Sequence, residues 1–438
     1  MINSCKKKIV ILGGGLSGIS LGYFLNKLGI ESVIYEKEPT IGGLCRSKIK
    51  NGFIFDICGH LLHFKHKTSL PLIKDLLKDN LVYHKRSSWI YSFNKFTKYP
   101  FQANLYGLPN SVIKNSIVDF IKAKIDTEKN SLSNNFLEWS YVNFGKSITD
   151  YFMAPYNRKF WTVPLEDLSY KWIDGIVVTP TLKQIVDGTI EENNRNVGYN
   201  SFFWYPKEGG IDNLIKAFSQ PLKSIFTGYD VEGIDHIKKK ITFKNGKKCK
   251  YDILISTIPL PELPNIIKNV PLKINKVFKK LQWVSIFNLN LGLTENHRPK
   301  KHWIYFPENN LKFFRVGFFN NFSNYNTPIG SSSIYSEVSY SNGRCIDNKK
   351  IVSEIFKGLK TVGILNGKSQ ELARVINDIK YAYPIYNHDY KDSLDIIKKY
   401  LSDCNLNSIG RFGGWKYMSM EDVILESERL SSFLLKNV

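Results

Sequence analysis

Three glycines near the start of the chain, Gly13, Gly15 and Gly18, restrict its fold more than any other feature. They lie between an apolar strand at 8–12 and an amphipathic helix at 19–28. A second strand is expected at Ser32–Tyr35. This order of elements therefore predicts a β-α-β unit with the glycines in its first turn.

Each of these glycines has a separate physical role in such a turn. Gly13 makes the turn tight, Gly15 lets the backbone approach a pyrophosphate, and Gly18 lets the helix pack closely on the strand. The helix N-terminus then offers free N–H groups and a partial positive charge to the phosphates. Glu36 ends the second strand, where its carboxylate can accept hydrogen bonds from a ribose diol. The segment therefore predicts a dinucleotide site.

Two further glycine turns indicate which dinucleotide is bound. Gly42 and Gly43 follow the second strand and, with Arg46, resemble the second glycine pair of FAD-binding proteins of the glutathione-reductase and amine-oxidase type. Late in the chain, Gly410 and Gly413 precede a helix, as in the segment of such flavoproteins that returns to the flavin. Three glycine turns in this order favour FAD over NAD.

The composition excludes several classes of protein. With 23% charged and 14% aromatic residues, the chain of 438 residues is too apolar to be disordered and long enough for about two to three domains. Its six cysteines form no C-x-x-C pair, so we expect no metal site, no disulfide scaffold and a reducing compartment. No signal segment and no stretch of about 18 apolar residues is present, which predicts a cytoplasmic protein without a transmembrane segment.

The formal net charge of +22 is compatible with nucleic acid, an anionic membrane surface or an anionic substrate as partner. AT-rich codon usage also enriches a chain in lysine without any functional cause. The basic runs are no longer than three lysines, at 6–8 and 238–240, so the basic stripe typical of nucleic-acid binding is not evident. We expect no nucleic-acid partner.

The pattern along the chain predicts an α/β fold with two insertions into a Rossmann-like FAD-binding domain. That domain is expected to comprise residues 1–66, 196–260 and 403–438. A mainly helical domain at 67–195 is expected to bind the nucleotide, and a β-sheet domain at 261–402 is expected to contribute to the substrate site.

Seven short motifs, in order along the chain, resemble one enzyme family. They are Asp56-x-x-Gly59-His60, Tyr99-Pro100-Phe101-Gln102-x-Asn104-Leu105, Pro155-Tyr156-Asn157-x-Lys159-x-Trp161, Trp303-Ile304-Tyr305-Phe306-Pro307, Phe314-Arg315, Tyr383-Pro384 and Gly410-Arg411-Phe412-Gly413-x-Trp415-x-Tyr417. Together they resemble the UDP-galactopyranose mutases, especially the longer, eukaryotic-type branch, over about residues 8–430.

The resemblance implies an isomerase, an intramolecular transferase that interconverts the pyranose and furanose forms of a nucleotide-diphosphate sugar without net redox change. FAD is the implied cofactor and its reduced form the working form, with NAD(P)H as a candidate external reductant. Flavin N5 acts as nucleophile at the anomeric carbon in this family, so the protein supplies orientation and charge. The implied product is a galactofuranose nucleotide for polysaccharide biosynthesis.

The resemblance also implies roles for individual residues. The catalytic set is His60 facing the flavin ring, Arg315 on the pyrophosphate, Arg411 beside flavin and phosphate, and Asn200 near flavin and sugar. The implied cofactor-binding residues are Gly13, Gly15, Gly18, Glu36, Gly42, Gly43, Arg46, Gly59, Gly410 and Gly413. The implied substrate-binding residues are Tyr99, Gln102, Tyr156, Asn157 and Trp161 at the uridine end, and Tyr305, Tyr383 and Tyr417 at the pyrophosphate.

One position departs from the family pattern. Family members carry a second pyrophosphate arginine shortly after the tryptophan that Trp172 matches, and Ile176 occupies that place here. Because an arginine fork contributes strongly to phosphate binding, either another cation replaces it or the substrate is different. Lys183, Arg195, Arg158 and Lys207 are the candidate replacements.

Two other functions remain compatible with the sequence. The same scaffold could support a true oxidoreductase of the amine-oxidase or desaturase type, which would consume reducing equivalents. A degenerate homologue could bind FAD as a structural element, although Arg315, Arg411 and His60 would then have no physical need to be present. The motifs select no particular hexose, base, reductant or oligomeric state.

Overall fold

The computed structural model describes residues 7–127, 133–173, 177–192, 201–294, 299–341, 343 and 346–436. The strands in chain order are β1 (Ile9–Leu12), β2 (Ser32–Tyr35), β3 (Ser47–Lys50), β4 (Phe53–Asp56), β5 (Val82–Lys85), β6 (Ser88–Ser92), β7 (Lys95–Lys98), β8 (Phe202–Tyr205), β9 (Ile225–Phe226), β10 (Val231–Asp235), β11 (Lys240–Phe243), β12 (Lys248–Lys250), β13 (Ile253–Ser256), β14 (Trp283–Leu293), β15 (Trp303–Tyr305), β16 (Arg315–Phe318), β17 (Ser332–Ser341), β18 (Glu371–Pro384) and β19 (Leu406–Ser408). The helices are α1 (Leu16–Lys27), α2 (Ser69–Leu77), α3 (Asn110–Thr127), α4 (Phe136–Ile148), α5 (Ala154–Trp161), α6 (Leu182–Ile190), α7 (Asp212–Ser219), α8 (Leu263–Ile266), α9 (Leu272–Phe278), α10 (Asn348–Thr361), α11 (Tyr390–Asp403), α12 (Gly410–Gly413) and α13 (Met420–Leu435).

A parallel sheet with the order β19-β13-β1-β2-β9 forms the base of the molecule. Its central strand β1 is buried along its whole length because α1, α7 and α13 pack on one face and the meander β10-β11-β12 on the other. Burial on both faces explains the continuous apolar runs of its strands. The expected β-α-β unit is therefore present, and the α/β fold class with a Rossmann-like sheet is confirmed.

A second, mixed sheet has seven strands, in the order β18-β14-β17-β16-β15-β6-β7. All neighbours pair antiparallel except β15 and β6. Alternate residues of β14, namely Phe287, Leu289 and Leu291, enter a core that α10 covers. The intervening Asn288 and Asn290 are buried on the opposite face, which is the face that looks toward the predicted site.

The segment expected to be helical, 67–195, is mainly helical and contributes α2 to α6. It also contains three strands that the sequence did not predict, and two of them, β6 and β7, extend the seven-stranded sheet. The third, β5, pairs with β8. The proposed domain boundaries remain a prediction. Among the described residues, no helix is both long and apolar enough to cross a membrane.

Candidate active site

The first glycine turn has the geometry of a phosphate cradle. Helix α1 begins directly after Gly15, without a side-chain cap and without an acidic residue in its first turn. A Cβ on Gly15 would have only the Cα of Gly43 within 4 Å, at 3.9 Å, and the Gly42 N–H donates to the Gly14 carbonyl at 2.7 Å, so the first two glycine turns lie against each other. Uncapped N–H groups at a helix start are the groups that bind phosphate.

Close packing explains two other glycines of the predicted cofactor set. A Cβ on Gly18 would lie 2.0 Å from the carbonyl oxygen of Gly13, so only glycine lets α1 start this close to β1. A Cβ on Gly410 would lie 2.0 Å from Ser17 Oγ, and Gly410 has a φ of +80°. The late glycine turn therefore contacts the start of α1, which brings together the first and third glycine turns.

Glu36 and Arg46, the charged residues of the predicted cofactor set, bond to backbone groups at or near the first two glycine turns. Glu36 is buried, and its two oxygens accept the N–H groups of Gly14, at 2.6 Å, and Glu38, at 2.8 Å. Arg46 folds back onto the second turn and donates from Nε to the Gly43 carbonyl at 2.8 Å. Glu36 thus lies at the end of β2 as expected, while its bond to a ribose stays a prediction.

A row of polar side chains crosses the seven-stranded sheet. Strand register places Tyr305 opposite Arg315, Arg315 opposite Glu337, Glu337 opposite Asn288, and Asn288 opposite Asn377. The row is buried at Glu337 and Asn288. The sequence motifs singled out the first two of these residues, and strand pairing brings the other three to them.

Glu337 fixes the guanidinium of Arg315. Arg315 donates from Nε to Glu337 Oε2, and the carboxylate side chain is completely buried. Burial lowers the pKa of Arg315, but the adjacent carboxylate more than offsets this, so the pKa lies well above its ordinary value. Arg315 is therefore held as a cation with part of its fork still available, since its side chain remains 19% exposed.

Arg411 lies between two tyrosine rings. Its Cζ is 4.7 Å from the ring centre of Tyr383 and 4.8 Å from that of Tyr417. It also donates to the carbonyls of Met418, at 2.9 Å, and Ala382, at 3.0 Å. The guanidinium is thus oriented by cation–π contacts and by the backbone.

His60 follows β4 and is influenced by both arginines. Burial, followed by the positive charges of Arg411 and Arg315, lowers the pKa of His60 to about 4. Its Nδ1 is buried and has no hydrogen-bond partner in the part of the chain that is described. At neutral pH this side chain is therefore an uncharged hydrogen-bonding group next to two cations.

Aromatic side chains form the wall beyond the arginines. Tyr305 contacts Tyr99, with ring centres 5.2 Å apart, and Tyr156, with ring centres 5.5 Å apart. Trp161 lies against Trp172, with ring centres 5.0 Å apart, and reaches Tyr383 at 6.4 Å. The predicted base end and the predicted pyrophosphate end are therefore continuous.

Two amides predicted at the base end are partly used inside the protein. Gln102 donates from Nε2 to the Val178 carbonyl at 2.7 Å, which leaves its buried Oε1 without a partner among the described residues. Asn157 donates to the Met153 carbonyl one turn earlier in its helix, at 2.8 Å. One Nε2 hydrogen of Gln102 is thus used inside the protein, and its bond to a base stays a prediction.

Gly59 has a packing role that the motif did not indicate. A Cβ on Gly59 would lie 2.5 Å from Tyr335 Oη, and one on Gly317 would lie 2.1 Å from Tyr335 Cζ. The tyrosine ring is buried between these two glycines. Two other predicted positions, Asn200 and Ile176, lie outside the described residues.

Sequence reasoning missed several residues that build the site. Lys159 was part of a motif but had no role; its buried Nζ donates to the carbonyls of Phe306, at 2.7 Å, and Glu308, at 2.5 Å, and ties α5 to the loop after β15. Asp56, also in a motif, accepts from Ser47 Oγ at 2.6 Å and Tyr205 Oη at 2.7 Å. The signal for Asp56 was a charged residue between apolar neighbours, which predicts a buried, satisfied group.

Residues 16–409 match the family described as flavin containing amine oxidoreductase. The chain belongs to this family. It is 22% identical over 451 aligned residues to a UDP-galactopyranose mutase of Mycoplasma genitalium, which covers 98% of this chain and 94% of the relative. It is 20% identical over 334 residues to a coproporphyrinogen III oxidase of Bacillus subtilis, which covers 68% of this chain and 69% of the relative.

Among solved structures, a crystal structure of reduced UDP-galactopyranose mutase superimposes with a TM-score of 0.92. The match covers 99% of this chain and 94% of that chain at 28% identity. The resemblance inferred from the motifs is therefore confirmed, and these relatives support an isomerase-type flavoenzyme. Membership of the eukaryotic-type branch stays a prediction.

The glycine turns fit FAD, which is the cofactor that the family implies. FAD needs an uncapped helix start for its pyrophosphate and a carboxylate at the end of the second strand, and α1 and Glu36 provide both. The facing turns at Gly15 and Gly43 leave room for the backbone to approach phosphate. The expectation of FAD is thus supported by this chain's own residues.

Proposed function

We propose that this protein is an FAD-dependent mutase that interconverts the pyranose and furanose forms of a nucleotide-diphosphate sugar such as UDP-galactopyranose. The observation that supports this most directly is the pair Arg315 and Arg411, two oriented cations that share a tyrosine-lined site with His60. Two cations in one pocket suit a substrate with a diphosphate leaving group. A galactofuranose nucleotide for polysaccharide biosynthesis would be the product.

The residues of the site have separate roles in such a reaction. Arg315 and Arg411 bind the diphosphate and stabilise the negative charge that grows as it leaves the anomeric carbon. Burial raises the pKa of Tyr383, so its hydroxyl stays protonated and donates to the same oxygens. Tyr99 and Tyr156 provide ring faces for the base. When bound, reduced FAD would supply a nucleophilic N5 for the sugar carbon.

Neutral His60 adds a hydrogen bond without adding charge. A third cation at this position would compete with the arginines for the same diphosphate and repel them. Because the pKa of His60 is lowered to about 4, the imidazole stays uncharged above that pH. The geometry therefore combines fixed cations with an uncharged polar group.

Turnover with UDP-galactopyranose under dithionite tests the proposal. We expect furanose product to accumulate with reduced flavin, little or none with oxidised flavin, and no stoichiometric loss of reductant. Product is measured chromatographically, and the flavin spectrum before and after turnover gives the electron count. Reductant consumption in proportion to product would instead identify an oxidoreductase.

The oxidoreductase is the second candidate, and one observation favours it. The family that matches residues 16–409 is one of amine oxidoreductases, and the relative in Bacillus subtilis is named an oxidase. For such a reaction the paired arginines would bind an anionic substrate such as a carboxylate. Competition by UDP separates the two functions, because a mutase site must bind the nucleotide.

Ile176→Arg tests how the diphosphate is held. We expect this change to alter UDP affinity less than about threefold, because an apolar residue at a phosphate contact indicates a remodelled pocket that no longer places phosphate there. Isothermal titration of UDP into the reduced protein gives the affinity. Tight UDP binding that Arg195→Ala abolishes and the added arginine restores would contradict this expectation and identify Arg195 as the replacement cation.

A further inference from the structure

The amino edge of the parallel sheet lies opposite the glycine turns. Lys8 and Asp252 precede β1 and β13 at this edge, and the Lys8 N–H donates to Asp252 Oδ2 at 2.7 Å. The Tyr251 N–H donates to the Lys239 carbonyl at 3.1 Å, which places the turn between β10 and β11 at the same edge. Ligands of such sheets bind at the carboxyl ends of the strands, so this edge faces away from the candidate active site.

A second segment reaches the same end of the molecule. Ile234 and Ile267 form a parallel bridge, and the Lys268 N–H donates to the Ile234 carbonyl at 3.0 Å. Because the two segments run parallel at this bridge, both leave it in the same direction. Ile237 follows on the first segment and is 78% exposed, and Leu272 follows on the second segment after a turn at 268–269 and is 72% exposed.

Lysines lie close in sequence to these two aliphatic side chains. We call the exposed residues Lys8, Ile237, Lys238, Lys239, Lys268 and Leu272 the basic tip. Two aspartates adjoin it: Asp252 accepts from the Lys8 N–H at 2.7 Å, and Asp235 accepts from the Lys238 N–H at 3.0 Å and lies 3.9 Å from Lys268 Nζ. Its four lysines outnumber these two carboxylates, so the tip has a net positive charge beside two exposed apolar side chains.

We propose that the basic tip docks the protein on an anionic lipid bilayer. Lysines near a negatively charged membrane surface each contribute about 1 kcal/mol, which is about fivefold in affinity. Exposed aliphatic side chains add to this by entering the boundary between headgroups and acyl chains. The combination distinguishes a bilayer from a nucleic acid, whose phosphates would use the lysines but gain nothing from Ile237 and Leu272.

Docking through this edge leaves the reaction unaffected. The glycine turns and the arginines lie toward the opposite edge, so substrate would reach them from solution while the tip holds the membrane. Membrane docking through the basic tip is independent of which reaction the site performs.

The test uses the full-chain flavoprotein and sedimentation with sucrose-loaded vesicles at about 0.15 M salt. One set of vesicles contains equal parts of phosphatidylglycerol and phosphatidylcholine, and the other contains phosphatidylcholine alone. We expect binding only to the anionic set. The triple variant Lys238→Glu, Lys239→Glu, Lys268→Glu should bind at least about 100-fold more weakly, and the double variant Ile237→Ser, Leu272→Ser about tenfold more weakly.

Matched controls separate the tip from overall charge and from misfolding. Lys349→Glu, Lys350→Glu, Lys357→Glu makes the same change of net charge on α10 and should bind normally, as should Ile329→Ser at another exposed aliphatic position. Flavin content and melting temperature should match wild type throughout. The proposal is overturned if wild type ignores anionic vesicles, if both lysine triples lose binding equally, or if the double serine variant binds as wild type does. If only the lysine variant loses binding, and it loses single-stranded DNA and vesicles equally, the tip binds polyanions in general instead.

Discussion

Replacing Arg315 with alanine is expected to lower kcat/KM by about 10³-fold while flavin content per chain stays close to that of wild type. A guanidinium that donates two charge-assisted hydrogen bonds to a leaving diphosphate contributes about 1.5–3 kcal/mol for each bond, and kcat/KM reports the sum. Flavin content should persist because Arg315 begins β16 in the seven-stranded sheet, whereas the glycine cradles lie at the start of α1.

The variant also leaves Glu337 without its partner, so stability must be measured beside activity. Removing one member of a buried ion pair costs about 3–5 kcal/mol, less whatever protonation of the carboxylate recovers. Arg315→Ala combined with Glu337→Gln removes that cost and should melt nearer to wild type, yet remain inactive. Arg374→Ala is the matched control, because Arg374 pairs with Glu371 at the surface of another strand and should leave turnover unchanged.

Flavin content and turnover per bound flavin, measured together, show whether Arg315 acts at the diphosphate site or at the cofactor site. If Arg315→Ala loses flavin but keeps its turnover per bound flavin, Arg315 would belong to the cofactor site and not to the diphosphate site. If the double variant recovers activity, the loss in the single variant was a consequence of the unpaired carboxylate.

The parts of this fold that the sequence predicted are those with local signals. Glycines at fixed offsets and an apolar run of four residues specify the first turn and β1, because both depend on neighbours within about 20 residues. The strand expected before Glu36 is β2, and the helix expected after Gly410 and Gly413 is α13.

The parts that escaped prediction depend on pairing between distant segments. Glu337 has no motif, and its role appears only when β17 pairs with β16 and sets it opposite Arg315. Strand β18 pairs with β14 through two register shifts, and no local pattern in the sequence indicates them. Lys48 reaches Asn377 across 329 residues of sequence, a contact that no local pattern encodes.

The amides at the base end show a related limit of motif reading. Gln102 was assigned to the base from its position in a string, and the structure shows that its Nε2 is occupied by Val178. A motif identifies which residues occur together, whereas the free donor or acceptor depends on the backbone that each side chain also serves. The role of Gln102 toward a base therefore stays a prediction.

Gly18→Ala is expected to weaken FAD binding by at least about 100-fold. The added Cβ would lie 2.0 Å from the Gly13 carbonyl oxygen, far inside contact distance, and neither atom can rotate away, because the Cβ is fixed by its bond to Cα and the oxygen belongs to the backbone. The start of α1 must then move away from β1, and its uncapped N–H groups move with it. Because phosphate binding depends on those groups, the pyrophosphate loses its site.

Gly22→Ala on the same helix is the matched control. It makes the same chemical change and gains the same helix propensity of about 1 kcal/mol. Its Cβ would meet Ile34 Cδ1 at 2.8 Å and Leu222 Cδ1 at 3.2 Å, which are ends of side chains that can shift. We expect FAD affinity within about threefold of wild type for Gly22→Ala, as measured by quenching of flavin fluorescence on binding to the apoprotein. Equal loss of affinity in both variants would mean that α1 tolerates no added methyl, and equal retention would mean that the pyrophosphate is not held at the start of α1.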